Sequence, residues 1–437
     1  MSKPEILRRT FSICPVCLER IPACHVQKEN GVYLEKACSR HGSFSTIIWR
    51  NHVSIKEWLG GTPEIKEGEN LNCPHACGLC PDHQQDTCCV LLEVTKRCNL
   101  HCSFCFAESG EEADPSLAQI TAYLKDLAVP GKTLVQLSGG EPTVREDLPE
   151  IVAKAKEAGC RYVQLNSNGI RLAQDRGYVE QLAKAGLSFL FMQFDGTDDQ
   201  IYRTLRGTEL WQVKKKAIEN CRDFNIGVTL VPTIVPGIND QSIGEILRFA
   251  ISMSPTVRGV HFQPVSYFGR VPQAPSDDMR FTLDELIFQI QRQTDGMINM
   301  DNLLPSCCDH PLCGFHGSFV VMPEGIVPLS RKREQKPACC SCATPTSAEQ
   351  NRAFVARHWE RDKKKEAGVL SSSMEPDLRN MEYFLQRVKS HGFTITAMAF
   401  QDAGNLDLER LRRCSLHVYD RGKIVPFCAY YLTEWDR

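Results

Sequence analysis

Short apolar runs alternate with longer amphipathic stretches through the middle of the chain. The runs at 90–94, 133–138, 162–166, 189–194, 227–231 and 259–263 end near Gly, Asn, Asp or Pro and predict buried strands. Between them, 146–158, 177–185, 210–224 and 242–253 space their apolar residues three and four apart, as helices do. Six such repeats predict an α/β class with parallel strands covered by helices. Functional side chains then gather at the C-terminal strand ends. Outside this region, 32–36 alternates as a strand, 348–367 and 377–390 read as helices, and 394–400 reads as a strand.

The pattern divides the chain into an N-terminal unit over 1–67, a cysteine-rich connector over 68–89, and the α/β repeats over 90–270. A second cysteine-dense region over 271–345 and a small α/β unit over 346–437 follow.

Cysteine changes the picture most. The chain has 437 residues and 22 cysteines. They cluster as C-x2-C and C-x3-C with no export signal before them, so they read as metal sites rather than disulfides. Cys98, Cys102 and Cys105 form C-x3-C-x2-C directly after the first strand. Three thiolates on one loop can ligate three irons of a 4Fe–4S cluster and leave the fourth iron open. A zinc knuckle, or a ferredoxin-type loop with a distant fourth cysteine, fits the spacing alone.

One strand–helix–strand interval later, Gly139, Gly140, Glu141 and Pro142 end the second strand. Paired glycines permit close backbone approach to a ligand. A carboxylate there can accept from an ammonium group. The two motifs together resemble the radical S-adenosylmethionine (SAM) superfamily. That resemblance implies an open, partial (β/α)6 barrel with an N-terminal metal knuckle domain and a cysteine-rich C-terminal extension. It also implies that the open iron chelates SAM, that the Gly-Gly-Glu-Pro strand end holds the SAM amino group, and that SAM is cleaved to a hydrogen-abstracting 5′-deoxyadenosyl radical. Superfamily members contact the SAM ribose and carboxylate from later strand ends, which carries Ser167, Asn168 and Asp195 over as cofactor-binding residues. Asn168 and Asp195 also fit helix caps. Arg203 is a candidate carboxylate partner, with a surface ion pair as its alternative.

Further metal sites are expected. Cys14, Cys17, Cys38 and His41 form two knuckles that suit one tetrahedral zinc or mononuclear iron, with Cys24 and His25 as bystanders. Cys73, Cys77 and Cys80 repeat the C-x3-C-x2-C spacing and suit an auxiliary 4Fe–4S cluster, with a fourth ligand from Cys88, Cys89 or a distant segment. A redox pair at Cys77 and Cys80 is the competing reading. Cys308, Cys313, Cys339, Cys340 and Cys342 suit further auxiliary ligation, or a structural zinc. Cys160, Cys221 and Cys414 read as buried thiols.

The order of these motifs is similar to the branch containing the tetraether lipid synthases and methanopterin methylases. The Pro426-Phe427-Cys428-Ala429 tail is similar to the TrsS group of radical SAM (seleno)proteins. The branch implies chemistry at unactivated carbon: C–C bond formation or methylation of a lipid-like or small-molecule substrate. Peptide modification and sulfur insertion are the alternative reactions. An iron–sulfur electron carrier is the alternative class, and it leaves Gly139–Gly140–Glu141–Pro142 unexplained.

The remaining totals narrow the partners. A net charge of −2 argues against a nucleic-acid surface, and Lys214, Lys215 and Lys216, like Lys363, Lys364 and Lys365, read as solvated helix faces. No run of 18 apolar residues predicts a membrane span. The expectation is a cytoplasmic protein that takes electrons from a donor such as ferredoxin or flavodoxin.

Overall fold

The computed structural model describes residues 5–61, 73–75, 77–107, 110, 113–269, 275–331 and 376–433. Cys339, Cys340, Cys342, the triple lysine at 363–365 and the expected helix at 348–367 lie outside the described residues.

Four antiparallel strands, β1 (Glu5–Ile13), β2 (Arg20–Lys28), β3 (Gly31–Cys38) and β4 (Gly42–Trp49), form one sheet in the order β1-β2-β3-β4. The six expected α/β strands are β5 (Cys89–Thr95), β6 (Leu134–Gly139), β7 (Tyr162–Ser167), β8 (Phe189–Gln193), β9 (Gly227–Val231) and, after the short β10 (Thr233–Ile234), β11 (Val257–Pro264). They pair in parallel, in sequence order. Their length and near-continuous apolar content suit burial on both faces. In β6, Leu134, Val135 and Leu137 are all buried.

Helices cover the sheet by their apolar stripes. The helix Leu117–Leu127 starts at a reciprocal cap, where Gln119 N–H donates to Ser116 Oγ at 3.2 Å and Ser116 N–H donates to Gln119 Oε1 at 2.8 Å. It buries Ile120, Leu124 and Leu127 in the same core as Val90, Leu92 and Leu137.

The C-terminal quarter is not the separate unit that the sequence pattern suggests. After β12 (Leu304–Pro305), β13 (Gly314–Met322) and β14 (Gly325–Pro328), the strand β15 (Gly392–Met398) inserts between β11 and β13, parallel to β11. At the other edge, β16 (Leu416–Asp420) pairs in parallel with β5, and β17 (Lys423–Pro426) closes a hairpin on it. Both flanks of the six-strand run would otherwise leave unpaired backbone groups. The tail covers both, a long-range outcome that local pattern does not encode.

The N-terminal sheet is tied to this tail by buried polar contacts. His25 Nε2 lies 2.9 Å from Asp407 Oδ2, Thr10 donates to Asp407 Oδ1 at 2.6 Å, and Lys36 Nζ donates to the Ala403 carbonyl at 2.8 Å. His25, outside the metal-ligand group as expected, has a structural role instead. It fastens the first domain to the barrel.

Candidate functional site

A cavity of about 610 Å³ opens at the C-terminal strand ends and runs into the barrel. Cys98, Cys102 and Cys105 all line it, beside Gly139, Gly140, Glu141, Ser167 and Asn168. Its size falls in the range of small-molecule sites, roughly 300–1,000 Å³.

The loop bearing the three thiols is seated by backbone contacts to the end of β6. Gly140 N–H donates to the Thr95 carbonyl at 2.8 Å, and Glu141 N–H donates to the Arg97 carbonyl at 2.9 Å. A methyl added at Gly139, whose φ is +117°, would sit 2.1 Å from Thr95 O; one at Gly140 would sit 2.2 Å from Arg97 O. The sequence reading gave these glycines to ligand approach; the first thing they approach is the cysteine loop itself. Gly269 does the same from the far side, where a methyl would meet Cys105 O at 2.4 Å.

Glu141 also has a structural role. It is 2% exposed and its oxygens accept from Thr143 N–H (3.1 Å), Thr143 Oγ1 (2.6 Å), Ser167 Oγ (2.8 Å) and Asn168 N–H (2.6 Å). Three of the four donors go to Oε1 and only Asn168 N–H goes to Oε2. Burial pushes its pKa up, and the hydrogen bonds from Asn168, Thr143 and Ser167 oppose that push. Glu141 thus laces the ends of β6 and β7 together. Asn168 continues the lace to the cysteine loop, donating from Nδ2 to Asn99 Oδ1 at 2.6 Å. Pro142 is buried at the first position of the following single turn.

Asp195 is fully buried and is absent from the cavity wall. Arg206 grips it in a fork, Nε to Oδ2 at 2.7 Å and Nη2 to Oδ1 at 2.8 Å. Thr233 N–H adds a bond to Oδ1 at 3.3 Å. Arg206 itself lines the cavity and hydrogen-bonds Cys102. The carboxylate therefore orients a guanidinium instead of touching a ligand. Arg203, the arginine singled out from the sequence, is an exposed surface partner of Glu209. Arg206 was missed because the two arginines sit three residues apart on one helix, and only packing separates their faces.

Lys214 was misread in the same way. Its ammonium is fully buried, donating to the Asn168 carbonyl at 2.5 Å and Gln193 Oε1 at 3.0 Å. Burial lowers its pKa to about 7, against an opposing pull from Asp195.

The chemistry of the thiol set suits a metal cluster. Burial, with the nearby charges of Glu141, Cys102 and Cys105, pushes the Cys98 thiol up to about 11. Three thiols gathered on one loop suit ligation to iron, where a cation replaces their protons. The N-terminal group is tighter. The ligand atoms of Cys14, Cys17, Cys38 and His41 all lie within 4.8 Å of one another, as one ion requires. The Arg40 backbone N–H holds the Cys38 thiol down to about 6.

Other described cysteines fall in several places. Cys77 hydrogen-bonds Cys73 and also feels Cys80 and Cys414. Cys308 turns to Cys88, whereas Cys313 accepts from Arg410 Nε at 3.4 Å and borders a small void with Cys414 and Cys428. The Cys308 and Cys313 side chains thus have different neighbours. Cys88, Cys89 and Cys307 line the main cavity. Cys160 and Cys221 are buried core residues, as expected.

Comparison with known proteins agrees with this layout. The radical SAM superfamily matches residues 92–250, and the HMPTM N-terminal zinc ribbon domain matches residues 6–50. The chain is 31% identical to 7,8-dihydro-6-hydroxymethylpterin dimethyltransferase of Methanocaldococcus jannaschii, over 97% of this chain and 93% of that protein. It is 32% identical to Fe-coproporphyrin III synthase of Methanosarcina barkeri over 44% of this chain and 47% of that one. It is 31% identical to GTP 3′,8-cyclase of Marinobacter nauticus over 37% and 49%. Among the described residues, no helix is long and apolar enough to cross a membrane.

Proposed function

The chain belongs to the radical SAM superfamily, in its methanopterin methylase-like branch, and from that premise we propose that it forms a carbon–carbon bond, by methylation or coupling, on a compact heterocycle of the pterin type. The observation that carries the reading is the single cavity: the three thiols of the cysteine loop share it with a barrel interior lined by Gln136, Gln164, Asn166 and His261. About 610 Å³ has to admit SAM and the reacting part of the substrate together, which favours a compact partner.

Cys98, Cys102 and Cys105 hold the 4Fe–4S cluster. When bound, cluster and SAM together supply a 5′-deoxyadenosyl radical that removes a hydrogen atom from carbon. The chain's own residues position these partners. The backbone of Gly139 and Gly140 seats the cysteine loop, Glu141, Ser167 and Asn168 fix the strand ends that face SAM, and Asp195 holds Arg206 beside Cys102. Phe104, Phe106, Phe268 and Phe427 line the cavity and exclude water from the reacting atoms. Cys14, Cys17, Cys38 and His41 hold a structural zinc or iron. Cys73, Cys77 and Cys80 hold an auxiliary 4Fe–4S cluster, and the electrostatic influence of Cys414 on Cys77 supports Cys414 as a fourth ligand. Electrons come from a small carrier of the ferredoxin or flavodoxin kind in the cytoplasm.

A second reading, an acyl chain as substrate, draws support from the same aromatic side chains. The test is anaerobic incubation with dithionite, SAM and deuterated 6-hydroxymethyl-dihydropterin. The proposal expects deuterium in 5′-deoxyadenosine and a pterin product carrying one carbon from the methyl group of a second SAM, which leaves as S-adenosylhomocysteine after taking an electron from dithionite. Deoxyadenosine free of deuterium, with the pterin unchanged, would overturn the pterin substrate.

A further inference from the structure

Below the strand ends, the next layer of inward-facing residues is Gln136 on β6, Gln164 on β7, Phe191 on β8, His261 on β11, Thr396 on β15 and His316 on β13. All six line the cavity. In closed barrels such layers are filled with Val, Ile and Leu. Here five of these six carry a polar group, while Leu91 on β5, beside Gln136, and Val231 on β9 add apolar wall to the same cavity.

Strand register sorts these residues into two arms. Gln136 lies beside Gln164 across β6 and β7, while His261, Thr396 and His316 form one lateral row across β11, β15 and β13. The row is bonded internally, with His261 Nδ1 and Thr396 Oγ1 2.8 Å apart. It carries no charge near neutral pH: burial lowers His261 to about 4 and lowers His316 as well. Phe191 and His261 rings, 5.5 Å apart, join the two arms with an aromatic face.

Gln164 is the informative member. It is fully buried, and its Nε2 donates to Asn166 Oδ1 at 2.8 Å. Its Oε1 has no hydrogen-bond partner. A buried acceptor left unpaired is costly, and it is retained where a ligand supplies the donor. An alkyl chain against this layer would leave that cost standing.

We propose that this layer is the substrate-recognition floor, and that it takes an uncharged planar heterocycle whose ring or exocyclic N–H donates to Gln164 Oε1 while the His261–Thr396–His316 row faces its other edge. The inference rests on the small-molecule reading above and names the residues that would enforce it. Gln164 and Thr396 act in substrate specificity.

Equilibrium dialysis of the reconstituted, full-length protein under anaerobic conditions tests it. The probes are 6-hydroxymethylpterin, its deamino analogue 6-hydroxymethyllumazine, and guanine. Gln164→Leu and Thr396→Val are each expected to weaken binding of the preferred heterocycle by roughly tenfold or more, because a site built around a hydrogen bond discriminates strongly when it is lost. Iron content is expected to stay at the wild-type level. The preference for pterin over lumazine should shrink in Gln164→Leu, which general damage to the fold would not produce. If Gln164→Leu fails to load iron, Thr396→Val decides. Wild-type affinity and preference in the variants would overturn the floor and leave the pterin reading standing. Guanine bound in place of pterin, and lost in the variants, would sustain the floor and overturn pterin as the substrate. A wild-type protein that binds none of the three would overturn both.

Discussion

The Cα of Gly140 packs against the Arg97 carbonyl so closely that an added methyl would lie 2.2 Å from that oxygen. Since Arg97 immediately precedes Cys98, Gly140→Ala must push the cysteine loop off the end of β6. The variant is expected to lose about one cluster's worth of iron and its SAM cleavage while keeping the metal of the N-terminal ribbon. Metal analysis of the anaerobic protein checks this, and wild-type iron content would contradict it.

Arg206 and Asp195 form a buried fork, 11% and 0% exposed at the side chain. Arg206→Leu leaves the carboxylate buried without its main partner, a change that costs about 3–5 kcal/mol. The double variant Arg206→Leu/Asp195→Asn is expected to recover most of that stability, since neither charge remains, but not SAM cleavage. Denaturant unfolding and deoxyadenosine assays on the three proteins separate the structural and functional roles.

Lys214 sets a pH dependence. Its folded pKa is about 7, against an ordinary value of 10.5. Between those values the unfolded chain holds a proton that the folded chain has released. Stability therefore rises with pH through that window, by at most about 1.4 kcal/mol per pH unit, and levels off below it. Lys36, buried in the N-terminal sheet and also lowered to about 7 by burial, adds a slope of the same sign. Lys214→Met should flatten the rise in unfolding free energy without abolishing it, as measured by urea titrations from neutral to alkaline pH.

His25 and Asp407 couple the first domain to the tail of the chain. His25 sits 2% exposed against a carboxylate that burial alone would raise, yet whose pKa the His25 bond and charge help hold well below the ordinary range. Replacing His25 with Ala removes one of that carboxylate's partners and leaves Thr10 Oγ1 and Glu409 N–H. A loss of about 2–3 kcal/mol is expected. Unfolding of His25→Ala should show the ribbon and barrel losing stability together; an unchanged midpoint would mean that they are independent.

Much of this site was legible in the sequence because its signals are local. C-x3-C-x2-C and Gly-Gly-Glu-Pro each place their atoms within a few residues, and the four-ligand knuckle joins two such short pairs across a β-hairpin. The six strands carried their own apolar runs and turn residues. What escaped was tertiary. That Gly140 meets Arg97, that Asp195 turns to Arg206, and that Lys214 points inward while Lys215 and Lys216 do not, depend on which face of an element packs. The insertion of β15 and β16 into the barrel sheet depends on contacts between residues hundreds of positions apart, which no local pattern carries.

The most direct measurement is SAM cleavage by wild-type protein and Cys102→Ala, reconstituted anaerobically and reduced with dithionite, with iron and zinc counted in both. The account predicts 5′-deoxyadenosine from the wild type and none from the variant, which keeps its ribbon metal and any auxiliary iron while losing one cluster's iron. Deoxyadenosine from Cys102→Ala at the wild-type rate would contradict the central claim that Cys98, Cys102 and Cys105 carry the reaction.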